Sequence, residues 1–198
     1  PFTDTNEVDF DSLGRLVDTY INIGAKALIL GRTTGEFFAM SDNEILEVVD
    51  FVVKRVNKKI PVLAQTGLND TSRSVVLSIR ARALGLDGLI IASPYYGQGN
   101  ELGLISHFKS IALAGGLPTY IDNDPARTGF NLEPSLIAKL AEIPNIAGII
   151  DSSSDLDHLA DLSPIINDDF VLISGDDKTI LAKLGMGASG HISVLANI

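Results

Sequence analysis

Cysteine is absent from the 198 residues, which removes disulfides, thiolate catalysis and Cys-ligated zinc or iron–sulfur centres in one step. Histidine is scarce. His107, His158 and His191 lie far apart and form no HExxH-type pair, so no metal site and no cofactor are expected. No apolar run approaches the about 20 residues that span a bilayer. A basic region leading into an apolar stretch and a small-residue cleavage site is also missing. The expectation is a soluble, cytoplasmic protein without a membrane partner. Positive charge is in deficit, with 15 Lys and Arg against 25 Asp and Glu and a net charge of -10. Phosphate binding needs a basic face and none appears, so nucleic acid is not an expected partner.

What is present is apolar sequence in short, regular blocks. Hydrophobic residues make up 45% of the chain and mean hydropathy is +0.26, as expected where strands are buried on both faces. The stripe Phe10, Leu13, Leu16, Val17, Tyr20 and Ile21 predicts a helix over 9–24, and "KALILG" a strand. Ser41 with Glu44 three residues on predicts a capping box. Strands are read at "IPVLAQ", "DGLIIAS", "LPTYID", "IAGII", "FVLIS" and "GHISVLA", and further helices over 71–85, 101–114, 133–142, 155–163 and 177–185. Seven strands alternating with seven helices imply a parallel α/β sheet in one domain over 1–198. The choice lies between an eight-stranded (β/α)8 TIM barrel and an open doubly wound sheet. No GxGxxG follows the early strands, and polar residues cluster after nearly every strand, which favours the barrel. Its first strand is expected before Pro1, and the C-terminal helices are expected to be lacking.

Four strand ends carry candidate chemistry. Gly31-Arg32-Thr33-Thr34-Gly35-Glu36 offers hydroxyls and backbone N–H groups to a small anion such as a carboxylate; the plain alternative is a Thr-rich strand cap. Ser93-Pro94-Tyr95-Tyr96-Gly97 supplies two phenols, for proton relay or for packing. The stretch from Asp122 to Gly129 holds a carboxylate and Arg127, as a site or as a solvated turn with a surface ion pair. Gly175-Asp176-Asp177 is acidic, and its second aspartate is a candidate N-cap.

Together TTGE, PYY, NxPxRTG, "IPNIAGI", SGDD and "ISVLAN", in this order, resemble the dihydrodipicolinate synthase / N-acetylneuraminate lyase family along essentially the whole chain. The resemblance implies a TIM barrel and class I aldolase (lyase) chemistry, in which a lysine on the sixth barrel strand forms an imine with pyruvate or another 2-keto acid. It implies that Thr33 and Thr34 hold the keto-acid carboxylate, Thr33 also serving a proton relay. Tyr96 is the implied relay phenol, delivered across a dimer interface, in a homo-oligomer of two or four chains. Arg127 is implied at the mouth, able to grip a substrate carboxylate.

The departures are as informative. The family's GIK followed by an acidic residue is here Gly148-Ile149-Ile150-Asp151, and its tyrosine at the end of the fifth barrel strand is Asp122. Isoleucine has no nitrogen, so no imine forms at Ile150. Arg32, Phe37, Phe38, Gln65 and His191 also depart from the family pattern. Three functions follow as expectations: a divergent barrel with a small-molecule pocket for a 2-keto acid or apolar ligand; an imine-independent acid–base catalyst built on Asp122 and His191; or a non-catalytic anion-binding or structural homologue. In the second, Arg32 or Arg127 stabilises developing charge, and Phe37 and Phe38 wall the substrate.

Overall fold

Ser41 opens its helix as the spacing predicts: its hydroxyl accepts from the Glu44 N–H and the Glu44 carboxylate accepts from the Ser41 N–H. In a computed structural model that describes residues 1–97 and 99–197, this helix is α2 (Asp42–Val56), preceded by α1 (Phe10–Asn22). Ile45, Leu46, Val49, Val52 and Val56 form its buried stripe, and Asn57 ends it in the left-handed region. The remaining helices are α3 (Thr71–Ala83), α4 (Glu101–Gly115), α5 (Pro125–Thr128), α6 (Pro134–Ala141), α7 (Leu156–Leu162) and α8 (Ile180–Gly185). Side chains of Asp70, Asn100 and Asp155 cap three of them.

The strands are β1 (Leu28–Leu30), β2 (Val62–Gly67), β3 (Gly88–Ala92), β4 (Thr119–Asn123), β5 (Ile146–Asp151), β6 (Val171–Ser174) and β7 (Gly190–His191). They form one sheet in sequence order, and every neighbouring pair is parallel. A doubly wound sheet reverses direction at a switch point; this one never does. The result is a seven-stranded partial barrel with helices outside it. Three details depart from the sequence reading. Residues 125–128 are helical where a turn was expected, because Pro125 suits a first helical position. Asp176 rather than Asp177 accepts from the Thr179 N–H and hydroxyl. The last strand is cut to two residues, because the Asp177 carboxylate accepts from the Ser193 hydroxyl and the Val194 N–H and draws the chain out of the sheet.

Alternation along the strands defines the two faces. Leu89, Ile91, Ile121, Ile149 and Leu172 point outward into the helix layer and join Phe108, Ile111, Ile137 and Leu140 in the cores. Register then places Asp122, Ile150, Ile173 and Gly190 side by side on the inner face. Asn123, Asp151, Ser174 and His191 lie side by side on the outer one. Gly148 is needed where β5 runs close to β6: a Cβ there would lie 2.4 Å from the Val171 carbonyl oxygen.

Gly148→Ala should therefore strain the β5–β6 pairing and cost about 1–3 kcal/mol, read as a lower urea midpoint at unchanged slope. A pH effect follows from His107, whose Nδ1 lies 2.8 Å from the Thr71 hydroxyl. Burial lowers its pKa from 6.5 to about 4. The unfolded chain then binds the extra proton between those values, so stability is full above pH 6.5 and falls as pH drops toward 4. Urea unfolding at pH 7 and pH 5 should show that loss, and His107→Gln should reduce it.

Candidate active site

At the C-terminal rim of the strands, Arg32 reaches from the end of β1 to the tip of β4. Its Nε and Nη2 donate to the two carboxylate oxygens of Asp122 at 3.2 and 2.7 Å, and Nη2 also donates to the Ser152 hydroxyl at 3.3 Å. This is the bidentate geometry a planar guanidinium favours. Asp122 is 5% exposed. Burial raises its pKa, Asp124 and Asp151 add to the rise, and Arg32 opposes it. Beside it on the inner face Ile150 is wholly buried.

Asp122 and His191 do not form a dyad. They sit on opposite faces of the sheet, since His191 is in register with Ser174 and Asp151 and Asp122 with Ile150. The carboxylate that His191 meets is Asp177, 3.0 Å from Nε2, while Nδ1 lies 3.1 Å from the Ser174 carbonyl. Sequence alternation alone left the direction of His191 open, and register closes the question.

The other expected residues divide. Thr33 and Thr34 are exposed in a single 3-10 turn, Thr33–Gly35, beside Arg32. Arg32, Thr34, Phe37 and Gln65 line one cavity of about 380 Å³ that continues along β1 toward Tyr20. Gln65 is 1% exposed and its Nε2 has no hydrogen-bond partner among the described residues. Phe37 and Phe38 do not act together as a wall: Phe37 is buried in the core against Gly31, and Phe38 is exposed and stacks edge-on against Tyr95. Tyr96 is fully exposed at φ +73°. Arg127 is exposed on α5 and has no ion pair among the described residues. Lys178 is exposed in the turn that precedes α8.

The residue that sequence reasoning missed is Lys183. It is fully buried on α8, whereas Leu181 and Leu184 of the same helix are exposed. Its ammonium donates to the Asp151 carbonyl at 2.7 Å, the Asp151 carboxylate at 2.8 Å and the Ser153 carbonyl at 2.7 Å. Asn123 Nδ2 donates to the second carboxylate oxygen at 2.7 Å, and the Ser153 hydroxyl to the first at 2.9 Å. Three donors on nitrogen are thus all used, which a buried ammonium requires. The available signal was weak: Lys183 stands three residues after Ile180, on the face where a core residue belongs.

With this geometry in place, the comparisons decide ancestry. The model of the dihydrodipicolinate synthetase family matches residues 1–198. This chain belongs to that family. It is 42% identical over 198 residues to the 4-hydroxy-tetrahydrodipicolinate synthase of Caldicellulosiruptor saccharolyticus, covering 100% of this chain and 67% of that protein. It thus spans about two thirds of the length of such curated relatives. Among solved structures, the chloride-inhibited dihydrodipicolinate synthase from Acinetobacter baumannii complexed with pyruvate superposes with a TM-score of 0.96 at 38% identity, over 100% of this chain and 68% of that one. YagE from Escherichia coli K12, a prophage protein of the same family in complex with pyruvate, gives 0.95 at 30% identity, over 99% and 67%. The TIM-barrel ancestry of the partial barrel is thereby shown.

Lys183→Met should cost about 3–5 kcal/mol, because it leaves the Asp151 carboxylate buried without its cation. Adding Asp151→Asn should restore part of that stability. Urea unfolding of the two variants and the parent checks both signs.

Proposed function

We propose that this member of the dihydrodipicolinate synthetase family holds a small 2-keto acid at the barrel mouth without forming an imine to it. The observation that carries the reading is Ile150, buried on the inner face in register with Asp122. By motif matching it stands where the family's lysine would be, and a hydrocarbon side chain cannot attack a carbonyl. Asp122 likewise stands where the family's tyrosine would be. It meets a guanidinium instead of relaying protons to an imine.

A carboxylate ligand is supported by the residues that remain. Arg32 supplies a cation beside the exposed Thr33 and Thr34 hydroxyls, and Gln65 supplies an unpartnered buried amide N–H on the same cavity wall. Pyruvate is the probe of choice because it is bound by two of the solved relatives. Arg127, exposed on α5, would by the same motif matching pair with a substrate carboxylate at the mouth. Tyr96 extends a fully exposed phenol from a strained backbone, which suits delivery into a neighbouring copy's site in a homo-oligomer. Dihydrodipicolinate synthase-type condensation would need a different amine, and Lys183 is not one: all three of its N–H groups are engaged on the outer face of the sheet.

Calorimetry with pyruvate should give saturable heat, and borohydride treatment of the same mixture should leave the protein mass unchanged. A mass increase that survives reduction would show that some lysine does form the imine and would overturn the reading.

A further inference from the structure

The geometry points to a proton-coupled carboxylate site: a ligand carboxylate enters beside Arg32 together with one proton, which is held between the ligand and Asp122. This rests on the reading that the mouth binds a small carboxylate. It concerns how that charge is accommodated.

The charges around Asp122 come from five parts of the fold. Arg32, after β1, is the cation in contact with it. Asp124, just after β4, and Asp151, on β5, are the nearby anions. Asp151 is already matched on the outer face by Lys183 of α8, with His158 of α7 at 3.8 Å. Among the described residues Arg32 is the cation hydrogen-bonded to Asp122, while Arg127 on α5 is exposed and makes no hydrogen bond or ion pair with it. In the free protein one guanidinium balances one carboxylate. Both Nε and Nη2 are engaged by Asp122, and Nη2 also by Ser152.

An arriving carboxylate must either share Arg32 with Asp122 or displace it. In both cases two carboxylates crowd one guanidinium in a place where Asp122 is nearly dry. Like charges in a poorly solvated site do not both stay ionised; one takes a proton, and the pair then shares it through a hydrogen bond. The balance is simple: ligand anion and one solvent proton enter, no bond to carbon changes, and the net charge of the site is unaltered. Gln65 belongs to the same arrangement. Its amide N–H, unpartnered in the free protein, is suited to the keto oxygen, which carries no charge and needs no proton.

Binding that takes up a proton strengthens as pH falls, by about tenfold per pH unit for one full proton. The test is titration calorimetry of the protein with pyruvate at pH 7 in phosphate and in Tris, whose ionisation heats differ. The expected result is a buffer-dependent heat equal to about one proton taken up per pyruvate, with Kd rising about tenfold from pH 7 to pH 8. Uncharged pyruvamide should show no buffer dependence. In Asp122→Asn the uptake should vanish while pyruvate still binds. Should that variant not fold, isotope-edited infrared spectroscopy of the parent labelled at aspartate provides the second reading: a protonated carboxyl band should appear on adding pyruvate. Saturable binding with buffer-independent heat, or uptake that persists in folded Asp122→Asn, overturns the inference and leaves the carboxylate reading standing. Absence of any saturable heat overturns both.

Discussion

Lys183 and Asp151 form the contact on which the rest of the mouth depends. A buried ion pair is costly to assemble and contributes little net stability unless its remaining donors and acceptors are satisfied. Here they are. The ammonium grips the carbonyls of residues 151 and 153 on either side of Ser152, so the backbone that carries Ser152 is fixed from the helix side. Ser152 in turn accepts from Arg32, and Arg32 clamps Asp122. Asn123 ties the neighbouring strand to the same carboxylate, and donates also to Asn131 at 2.6 Å. One ammonium on the outer face thereby sets the position of the charged groups on the inner face.

The arrangement separates two kinds of chemistry across a single strand. On the outer side of β5 the charge is fully matched and dry, which makes it structural. On the inner side Ile150 is inert, and the charged groups that remain belong to neighbouring segments: Arg32 after β1 and Asp122 on β4. An aldolase-type barrel concentrates its reactivity in one nitrogen. In this chain the central feature is the Arg32–Asp122 ion pair, and the carboxylate binding proposed above would draw on its cation. The mouth's hydroxyls, guanidinium and amide support that proposal, and the Ile150 side chain offers no nitrogen to a carbonyl.

Much of the fold was legible because its signals are local. Ser41 and Glu44 marked a helix start through three-residue spacing, and continuous apolar runs such as residues 88–92 marked strands buried on both faces. The site was legible in part. Motif order located Arg32, Asp122 and Ile150 near one another, and the structure places the first two in contact. The pairing of Asp122 with His191 failed, because strand alternation gives two directions and the chain alone does not say which is inward. Phe37 and Phe38 separated for a related reason: adjacent aromatics in a turn point to different places, so Phe37 is buried and lines the cavity while Phe38 is exposed against Tyr95.

The sequence by itself determined the α/β alternation, the helix boundaries set by caps, the family, and the absence of nitrogen at Ile150. These depend on residue identity and on neighbours a few positions away. Only the tertiary structure decided that Lys183 is buried and that Arg32 holds Asp122 across the mouth. It also turned His191 toward the helices, through the β6–β7 register. Each of those contacts joins residues far apart in the chain, from 14 positions for His191 and Asp177 to 90 for Arg32 and Asp122. Such pairings follow from strand register and packing, which no local spacing encodes.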